Sequence, residues 1–422
     1  MCDDSSQETC LFNTHHYVLP AEYILPTEDR QVGNKLSSTW DKNCLLYYPL
    51  TIGGFFLSKK LRSGFTTGTC AAAAAKAALL AYYRQNPTVV EVLSPQGQSL
   101  FVPVAASEPT ENGGIATVIK DAGDDIDITH GTAIVAEVAL SNGRDILIKA
   151  GSGVGRVTKP GLAVPVGEPA INPGPRKMIL QAVKEHIPEN QGAIVTISIP
   201  DGQRLAKRTL NASLGIVDGL SIIGTTGVVH PMSEDAFKNS LTPQISVARA
   251  MGYDELVFAP GKIGQDIAVN TFSLPAQAVL QTSNFIGHML ESAVEQGTKK
   301  VLLFGHLGKL VKVAAGIFHT HNRMADARME TMAAYAGAAG APPEALREIL
   351  SCTTTEAAMP VIERYQLTGV YATLAERASI RAARYVFGDL TVGTAIVTLK
   401  GELLGYDHAA REIGEALGWN IK

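Results

Sequence analysis

The sequence predicts two regions of different fold class: an α+β domain with a largely antiparallel sheet and helices on one face, followed by a three-layer, Rossmann-like α/β domain. Short alternating strands separated by turn residues fill residues 88–199, with few helices between them. After about residue 212, near-continuous apolar strands alternate with helical stretches, as buried parallel strands do. We therefore expect domains at residues 56–212 and 213–422, and residues 1–55, which show no clear period, as an N-terminal extension.

Composition excludes several classes of protein. With 46% hydrophobic and 18% charged residues, the chain is typical of a well-packed globular protein. Its net charge of -4 lacks the basic excess that a nucleic-acid partner requires. The five cysteines show neither a disulfide framework nor zinc spacing, and no apolar stretch is long enough to span a membrane. We expect a cytoplasmic protein without nucleic-acid or membrane partners, and leave open whether it is a homodimer.

In the first region, a glycine- and threonine-rich loop leads into five alanines, and the pattern predicts a helix over residues 70–83 with Thr67 or Thr69 as its N-cap. Backbone N–H groups at the start of this helix would favour a carboxylate or phosphate. The short alanine side chains would equally suit close packing against a sheet. A second helix is predicted over residues 175–187 on the same face. Strands are predicted at residues 88–93, 99–104, 115–120, 133–139, 145–149 and 193–199.

Two polar stretches of this region are candidate binding or catalytic segments. Residues 120–130 place several carboxylates beside a glycine turn and end in His130, which can accept a proton near neutral pH. A solvated acidic turn or a divalent-ion loop fits the same residues. The glycine-rich residues 151–161 contain Arg156 and Lys159, and Arg176 begins the next helix. Such cations suit the carboxylates of an acidic ligand, although ordinary surface charge is an equal alternative.

The second region has apolar strands at residues 219–223, 255–259 and 300–304, with helices predicted at 233–251, 284–295 and 308–317. Each strand ends in a glycine-bearing loop, and ligands of open α/β sheets bind at the carboxyl ends of parallel strands. We expect the three loops to lie side by side around a cofactor, although glycines also tighten strand-to-helix turns. The loop residues are Gly224, Thr225, Thr226, Gly227, Gly261, Gly264, Gly305, His306 and Gly308.

His319 and His321 lie two residues apart, so their side chains would point the same way in an extended backbone. They could bind a metal, contact a carboxylate or cap a helix. Beyond them the pattern predicts helices at residues 343–350, 357–365 and 374–385, a strand at 394–400 and a closing helix. This last part has no chemical signature of its own.

Several of these strings resemble one family. Gly-Phe-Thr-Thr-Gly-Thr-Cys at residues 64–70, with the alanines that follow, resembles the N-terminal signature of the CbiD family. Further matching strings follow in family order at residues 121–131, 151–161, 165–176, 221–231, 304–312 and 318–330. The resemblance covers residues 60–420 approximately. It implies a cobalt-precorrin-5B C1-methyltransferase of anaerobic cobalamin biosynthesis.

That activity implies methyl transfer from S-adenosylmethionine to C-1 of cobalt-precorrin-5B, giving cobalt-precorrin-6A. The substrate carries the cobalt, so no metal held by the protein is expected. We expect the glycine loops to hold S-adenosylmethionine and His130, His319 or His321 to accept a proton. The residues expected to hold the acidic macrocycle are Arg62, Thr66, Thr67, Thr69, Lys76, Arg156, Lys159 and Arg176.

Two other functions are alternatives. A glycine-threonine loop before a helix could cradle phosphates in a nucleotide-dependent phosphotransferase, but no Walker string is present. A non-catalytic carrier of a tetrapyrrole intermediate would need the cationic residues and no cofactor loops. The three glycine loops therefore favour the methyltransferase.

Overall fold

The computed structural model describes residues 61–419. These residues belong to one unit that combines helices with two five-stranded sheets. The mixed α/β class predicted from the sequence is confirmed. The predicted extension at residues 1–55 lies outside the described residues.

The first half of the unit is rich in strands. Its elements are β1 (Gly64–Phe65), α1 (Thr67–Tyr82), β2 (Val89–Leu93), β3 (Ser99–Pro103), β4 (Ala106–Thr110), β5 (Gly113–Ile119), β6 (Ala133–Ser141), β7 (Ile146–Ala150), β8 (Arg156–Val157), α2 (Pro173–Lys184), β9 (Gly192–Ser198), α3 (Gly202–Ala206), β10 (Ile216–Val217) and β11 (Val228–Val229). The main sheet has the order β4-β5-β6-β9-β7. Only the pair β7–β9 is parallel within it.

Helix α1 fills the space between this sheet and α2. Its alanines are fully buried, and at Gly114 of β5 an added Cβ would lie 2.0 Å from the carbonyl oxygen of Ala78. Short side chains on both elements are what permit this approach. The N-cap is Thr66, whose Oγ1 accepts the N–H of Thr69 at 3.2 Å. The prediction of Thr67 or Thr69 as N-cap was wrong because the helix begins one turn earlier than expected.

The second half contains most of the helices. Its elements are α4 (Glu234–Leu241), α5 (Pro243–Ala250), β12 (Glu255–Ala259), α6 (Lys262–Asn270), β13 (Val279–Gln281), α7 (Ile286–Glu295), β14 (Lys300–His306), α8 (Leu307–Ala314), α9 (Arg328–Ala338), α10 (Pro343–Ser351), α11 (Thr355–Arg364), α12 (Val370–Tyr385), β15 (Thr391–Val397), β16 (Leu403–Tyr406) and α13 (His408–Ala416). The sheet order is β13-β12-β14-β15-β16, and only β16 is antiparallel to its neighbour.

Helices cover both faces of this sheet. Leu256 and Phe258 of β12 pack in the core with α7, α8 and α12, whereas the alternate residues Val257 and Ala259 pack with α6 and α13. Helix α6 connects β12 to its neighbour β13 on one face, and α8 leads from β14 towards β15 on the other. The chain thus leaves β12 and β14 in opposite directions. The crevice between their carboxyl ends is the topological switch point of the sheet.

Two predicted elements differ from the structure. Residues 219–223 are not a strand of the parallel sheet: Leu220 and Ile222 form isolated bridges to Val154 and Ile171 and pack in the core of the first sheet. The predicted helix over 233–251 is divided into α4 and α5, because Pro243 cannot continue the hydrogen-bonding of α4. Sequence patterns also gave no sign of β4, β13, β16 or α6. Among residues 61–419, no helix combines the length and hydropathy needed to cross a bilayer.

Candidate functional site

The loops after β12 and β14 meet at the switch point. Gly261 starts α6 with φ 135°, and a Cβ added there would meet no atom within 4 Å. A Cβ on Gly264 would lie 3.5 Å from the Cα of Gly305, and one on Gly305 would lie 3.0 Å from Pro260 Cδ. These glycines bring the two strand ends into contact and leave open space in front of α6.

Two lysines of α8 lie beside these loops. Lys309 Nζ, which is half-buried, donates to Asn284 Oδ1 and, at 3.4 Å, to the carbonyl of Thr320. Lys312 is fully buried and donates to the carbonyls of Thr320 (3.2 Å) and Ala325 (2.9 Å) and to Asn322 Oδ1 (2.7 Å). An ammonium has three N–H donors. Lys312 therefore uses all of its donors within the chain, whereas Lys309 uses two.

The charges around these lysines are predominantly positive. Burial lowers the pKa of Lys309, and the charges of Lys312 and Arg328 lower it further. Burial also lowers the pKa of Lys312; Asp326 opposes this effect, and Arg328 adds to it. Arg328 makes two hydrogen bonds of 2.7 Å to Asp326. A bound anion would reduce the repulsion between these positive charges and favour their protonated forms.

His306 ends β14 in the same cluster. Its Nδ1 is buried and has no hydrogen-bond partner within residues 61–419. Burial lowers the pKa of His306, the charge of Glu356 opposes this effect, and Lys309 and Arg328 reinforce it. The ring is therefore neutral at pH 7, with one donor and one acceptor nitrogen. Because Nδ1 is enclosed by the protein, Nε2 is the ring nitrogen that remains available to a ligand.

The loop with His319 and His321 lies at the adjoining carboxyl end of β13. Residue His319 forms an antiparallel bridge with Phe285, and the N–H of Thr320 donates to the carbonyl of Asn284 at 2.9 Å. The His319 ring stacks on Phe285 with 4.9 Å between centroids. The structure thus brings together two of the sequence strings, residues 304–312 and 318–330.

The three predicted catalytic histidines differ in what their rings can do. Nδ1 of His130 accepts the N–H of Ala122 at 3.1 Å, and Nδ1 of His321 accepts the N–H of Arg323 at 3.1 Å. In the neutral state, both rings therefore carry their proton on Nε2 and cannot accept another there. The ring of His319 makes no hydrogen bond to any described residue. Of the three, it alone keeps an uncommitted acceptor nitrogen in the described part of the chain.

We expected the loop of Gly224, Thr225, Thr226 and Gly227 to lie beside the other two glycine loops. It covers the start of α1 instead. The N–H of Gly68 donates to the carbonyl of Ile223 at 2.9 Å, and Thr69 Oγ1 donates to that of Gly227 at 2.6 Å. Thr67 Oγ1 likewise bonds to the backbone of Ile223. These donors are already paired within the chain, and Thr66, Thr67 and Thr69 are buried, which favours the alternative of close packing at the start of α1 over an anion site.

The cations expected to hold the substrate contact separate neighbours. Arg62 makes a two-pronged contact with Asp121, and Lys76 lies 4.0 Å from Glu185. Arg156 donates to the carbonyl of Gly167, and Lys159 donates to that of Ser213 at 3.1 Å. Arg176 is half-buried and has no ion-pair partner among residues 61–419. No two of these five side chains share a hydrogen-bond or ion-pair partner within residues 61–419.

The acidic turn before His130 is closed by a buried ion pair. Lys120, which is 1% exposed, lies 2.6 Å from Asp127, whose other oxygen accepts two hydrogen bonds from Thr129. Burial acts to raise the pKa of Asp127, but the charge of Lys120 and these hydrogen bonds outweigh it and lower the pKa. Within the described residues, no three His, Cys, Asp or Glu side chains gather as metal ligands do.

Comparison with known proteins gives the family. The CbiD model matches residues 57–231, and the model of the CbiD C-terminal domain matches residues 319–408. A protein of Moorella thermoacetica named cobalt-precorrin-5B C(1)-methyltransferase is 53% identical over 84% of this chain and 97% of its own. This chain belongs to the CbiD family.

A second relative agrees with that assignment. A protein of Methanocaldococcus jannaschii, also named cobalt-precorrin-5B C(1)-methyltransferase, is 46% identical over 82% of this chain and 96% of its own. A crystal structure of a cobalamin biosynthesis protein (cbiD) from Archaeoglobus fulgidus is 30% identical, covers 64% of this chain and 84% of its own, and superposes with a TM-score of 0.35.

Sequence reasoning did not single out five of the residues that surround His306 and the two lysines of α8. One signal for them was available: Lys309 and Lys312 lie three apart in a segment that is otherwise apolar, and Lys312 stands between Val311 and Val313. A lysine at such a position is either on a solvated edge or held by specific acceptors. The cluster residues that were missed are Asn284, Lys309, Lys312, Thr320 and Arg328.

Proposed function

We propose that this chain transfers a methyl group to C-1 of cobalt-precorrin-5B, giving cobalt-precorrin-6A, with S-adenosylmethionine as the donor. The observation that carries the proposal is 53% identity over 97% of a relative named cobalt-precorrin-5B C(1)-methyltransferase. Seven further relatives of the same name, at 42–48% identity, support it over a phosphotransferase or a carrier. Cobalt enters with the substrate and is not a cofactor of the protein.

The donor fits the carboxyl edge of the second sheet. Gly261 offers unobstructed space, His306 offers its Nε2, which bonds to no described residue, and Lys309 offers an unused N–H. We assign donor binding to Gly261, Gly264, Gly305, His306 and Gly308. Bound there, the donor supplies a methyl group activated on sulfonium. The Gly224–Gly227 loop is left out because its carbonyls bond to α1.

The protein's contribution is positioning. Holding two reactants in a near-attack geometry lowers a barrier by ~7–11 kcal/mol. We assign the carboxylates of the macrocycle to cations of the first half, chiefly the exposed Arg62 and Arg156 and the half-buried Arg176, since guanidinium groups bind carboxylates in a fixed geometry. His319 is the acceptor for a proton lost from the macrocycle, because its ring nitrogens are uncommitted within the described residues.

The proposed division of labour follows the two sheets. The first half, with its mainly antiparallel sheet, forms the substrate domain, and the second half forms the donor domain. Because residues 219–223 pack with the first sheet, we place the boundary between β11 and α4 rather than at residue 213.

The test is a methyl-transfer assay with purified protein, cobalt-precorrin-5B and S-adenosylmethionine. Mass spectrometry should show the macrocycle gaining one methyl group, with S-adenosylhomocysteine as co-product. His319→Ala should lower kcat by about 10²–10⁴-fold, the usual contribution of a general base, while His321→Ala should retain most activity. A parent protein that transfers no methyl group would refute the function, and equal losses in the two variants would refute the role of His319.

A further inference from the structure

We infer that Lys309 and His306 together form the site for the carboxylate of the methyl donor's amino-acid portion. This assignment rests on the proposed function, since it presumes that donor. It concerns the start of α8, at the carboxyl end of β14 and beside the switch point of the sheet.

Lys309 is held in place but not saturated. Asn284, from the loop after β13, and the carbonyl of Thr320 accept two of its three N–H groups, which fixes the ammonium above the strand ends. No carboxylate among residues 61–419 lies within 4.0 Å of it. Because Lys309 is half-buried, a hydrogen bond from its third N–H to an anion is less weakened by water than one on the surface.

The charged side chains around Lys309 leave a net positive charge of one. Lys312 is bonded by neutral oxygens only, so its charge is not cancelled by direct pairing. Arg328 is paired with Asp326, and Glu356 faces His306 and Arg328 while accepting a hydrogen bond from Thr355. Three cations against two carboxylates leave one positive charge. A ligand carboxylate balances it, and the N-terminal end of α8 favours the same sign.

His306 supplies the second contact. It is the N-cap residue of α8, three positions before Lys309; its Nδ1 is enclosed against Gly308 without a partner in the described chain, so Nε2 is the nitrogen that can face a ligand. A Cβ on Gly308 would lie 3.2 Å from the ring's Cε1, so the imidazole lies directly over the first turn of the helix. A neutral imidazole can donate one N–H, and a carboxylate has two oxygens to accept from Lys309 and His306.

Carboxylates also occur on the macrocycle, so the experiment separates the two sources. Calorimetry without macrocycle would compare S-adenosylhomocysteine with its decarboxylated form, which keeps the amine and loses only the carboxylate. We expect Lys309→Met to weaken binding of S-adenosylhomocysteine by about 10–100-fold, the usual effect of losing a hydrogen bond to a charged group. Binding of the decarboxylated compound should change by about twofold or less. His306→Ala should show the same selectivity with a smaller loss.

Lys262→Met is the matched control. Lys262 is an exposed lysine in the first turn of α6, paired with Asp266, so the variant removes the same charge from the same edge of the sheet. It should change neither affinity by more than about twofold. Unfolding midpoints of all variants would show that each is folded.

Three results would overturn the inference while leaving the function intact: equal weakening of both ligands by Lys309→Met and His306→Ala, no weakening of either, or equal effects of Lys262→Met and Lys309→Met. The variants could instead weaken binding of S-adenosylhomocysteine only when macrocycle is present. That result would assign Lys309 and His306 to the substrate's carboxylates. A parent protein that binds neither ligand, with or without macrocycle, would refute the proposed donor itself.

Discussion

The starts of α1 and α8 are two versions of the same local design, a glycine-bearing loop that leads into a buried helix. At α1 the chain itself fills the space, because Ile223 and Gly227 accept hydrogen bonds from Gly68 and Thr69. At α8 the side chains of His306 and Lys309 keep unused hydrogen-bonding capacity within the described residues. Glycines mark where a backbone can be approached, and other segments decide whether protein or ligand approaches it.

The buried lysines near each helix show the same contrast. Lys120 is neutralised in place by Asp127 at 2.6 Å. Lys312 is bonded by three neutral oxygens, so its charge adds to the field around Lys309. The first arrangement stabilises a turn, and the second also prepares a region for an anion.

The largest expected effect concerns the closed packing of α1. Gly114→Ala should lower the free energy of unfolding by about 3 kcal/mol, because the new Cβ would lie 2.0 Å from a backbone oxygen that cannot move freely. Urea unfolding measures the loss. Gly143→Ala is the control, since its Cβ would meet only Asp145 N at 3.9 Å. A small loss at Gly114 would mean that α1 packs less closely on β5 than the 2.0 Å approach indicates.

Asp127→Asn tests the neutralised lysine. The variant should lose about 2 kcal/mol at pH 7, less than for a fully buried pair because about a quarter of the Asp127 side chain is exposed. In the parent protein, folding lowers the pKa of Asp127. The stability that its carboxylate contributes is therefore fully present above the unfolded pKa of about 3.8, and it is lost as the pH falls through the lower pKa of the folded state. Unfolding curves of parent and variant should therefore converge in acid below about pH 4. A gap that is unchanged at low pH would contradict the pairing.

Thr69→Val tests whether the start of α1 contributes to stability or binds a ligand. Removing the hydroxyl that donates to Gly227 should cost about 1 kcal/mol of stability, since a buried hydrogen bond is lost while the Gly227 carbonyl still accepts the N–H of Thr66. The affinity for S-adenosylhomocysteine should not change. Lost affinity with unchanged stability would instead make this loop a ligand site and erase the difference between the two helices.

The smallest effect is expected from Arg62→Gln. Arg62 and Asp121 are exposed, and solvent screens such pairs strongly, so thermal unfolding should show no measurable change. The KM for cobalt-precorrin-5B should rise, because the guanidinium is proposed to contact the macrocycle. An unchanged KM would remove Arg62 from the substrate site.

The sequence predicted strands best where both faces of a strand are buried, because such a strand is a continuous run of apolar residues. Strand β12 matches its prediction at residues 255–259 because Leu256, Val257, Phe258 and Ala259 are all buried, and such runs are typical of central parallel strands. Residues 219–223 are also apolar, but Leu220 and Ile222 pack on the first sheet. Local pattern specifies that a segment is buried, not which core buries it.

The candidate site was predictable in outline only. The glycines at the ends of β12 and β14 pointed to the edge of the sheet where its switch point lies, because strand order and helix placement follow general rules. Lys309 and Lys312 were missed because the sequence does not show which groups accept their hydrogen bonds. Those acceptors lie in residues 284 and 320–325, which only the fold brings close. The choice among His130, His319 and His321 likewise depended on backbone N–H groups whose positions only the fold fixes.

The burial of Lys312 also makes it a natural reporter of motion. An amine-reactive reagent can modify its Nζ only when the segment of Thr320 to Ala325 lifts away, whereas Lys262 is accessible at all times. The ratio of the two modification rates therefore measures the fraction of time that this segment is open. A ligand bound at Lys309 would slow the modification of Lys312 and leave that of Lys262 unchanged, so a residue three positions from the proposed contact would record occupancy through reaction kinetics.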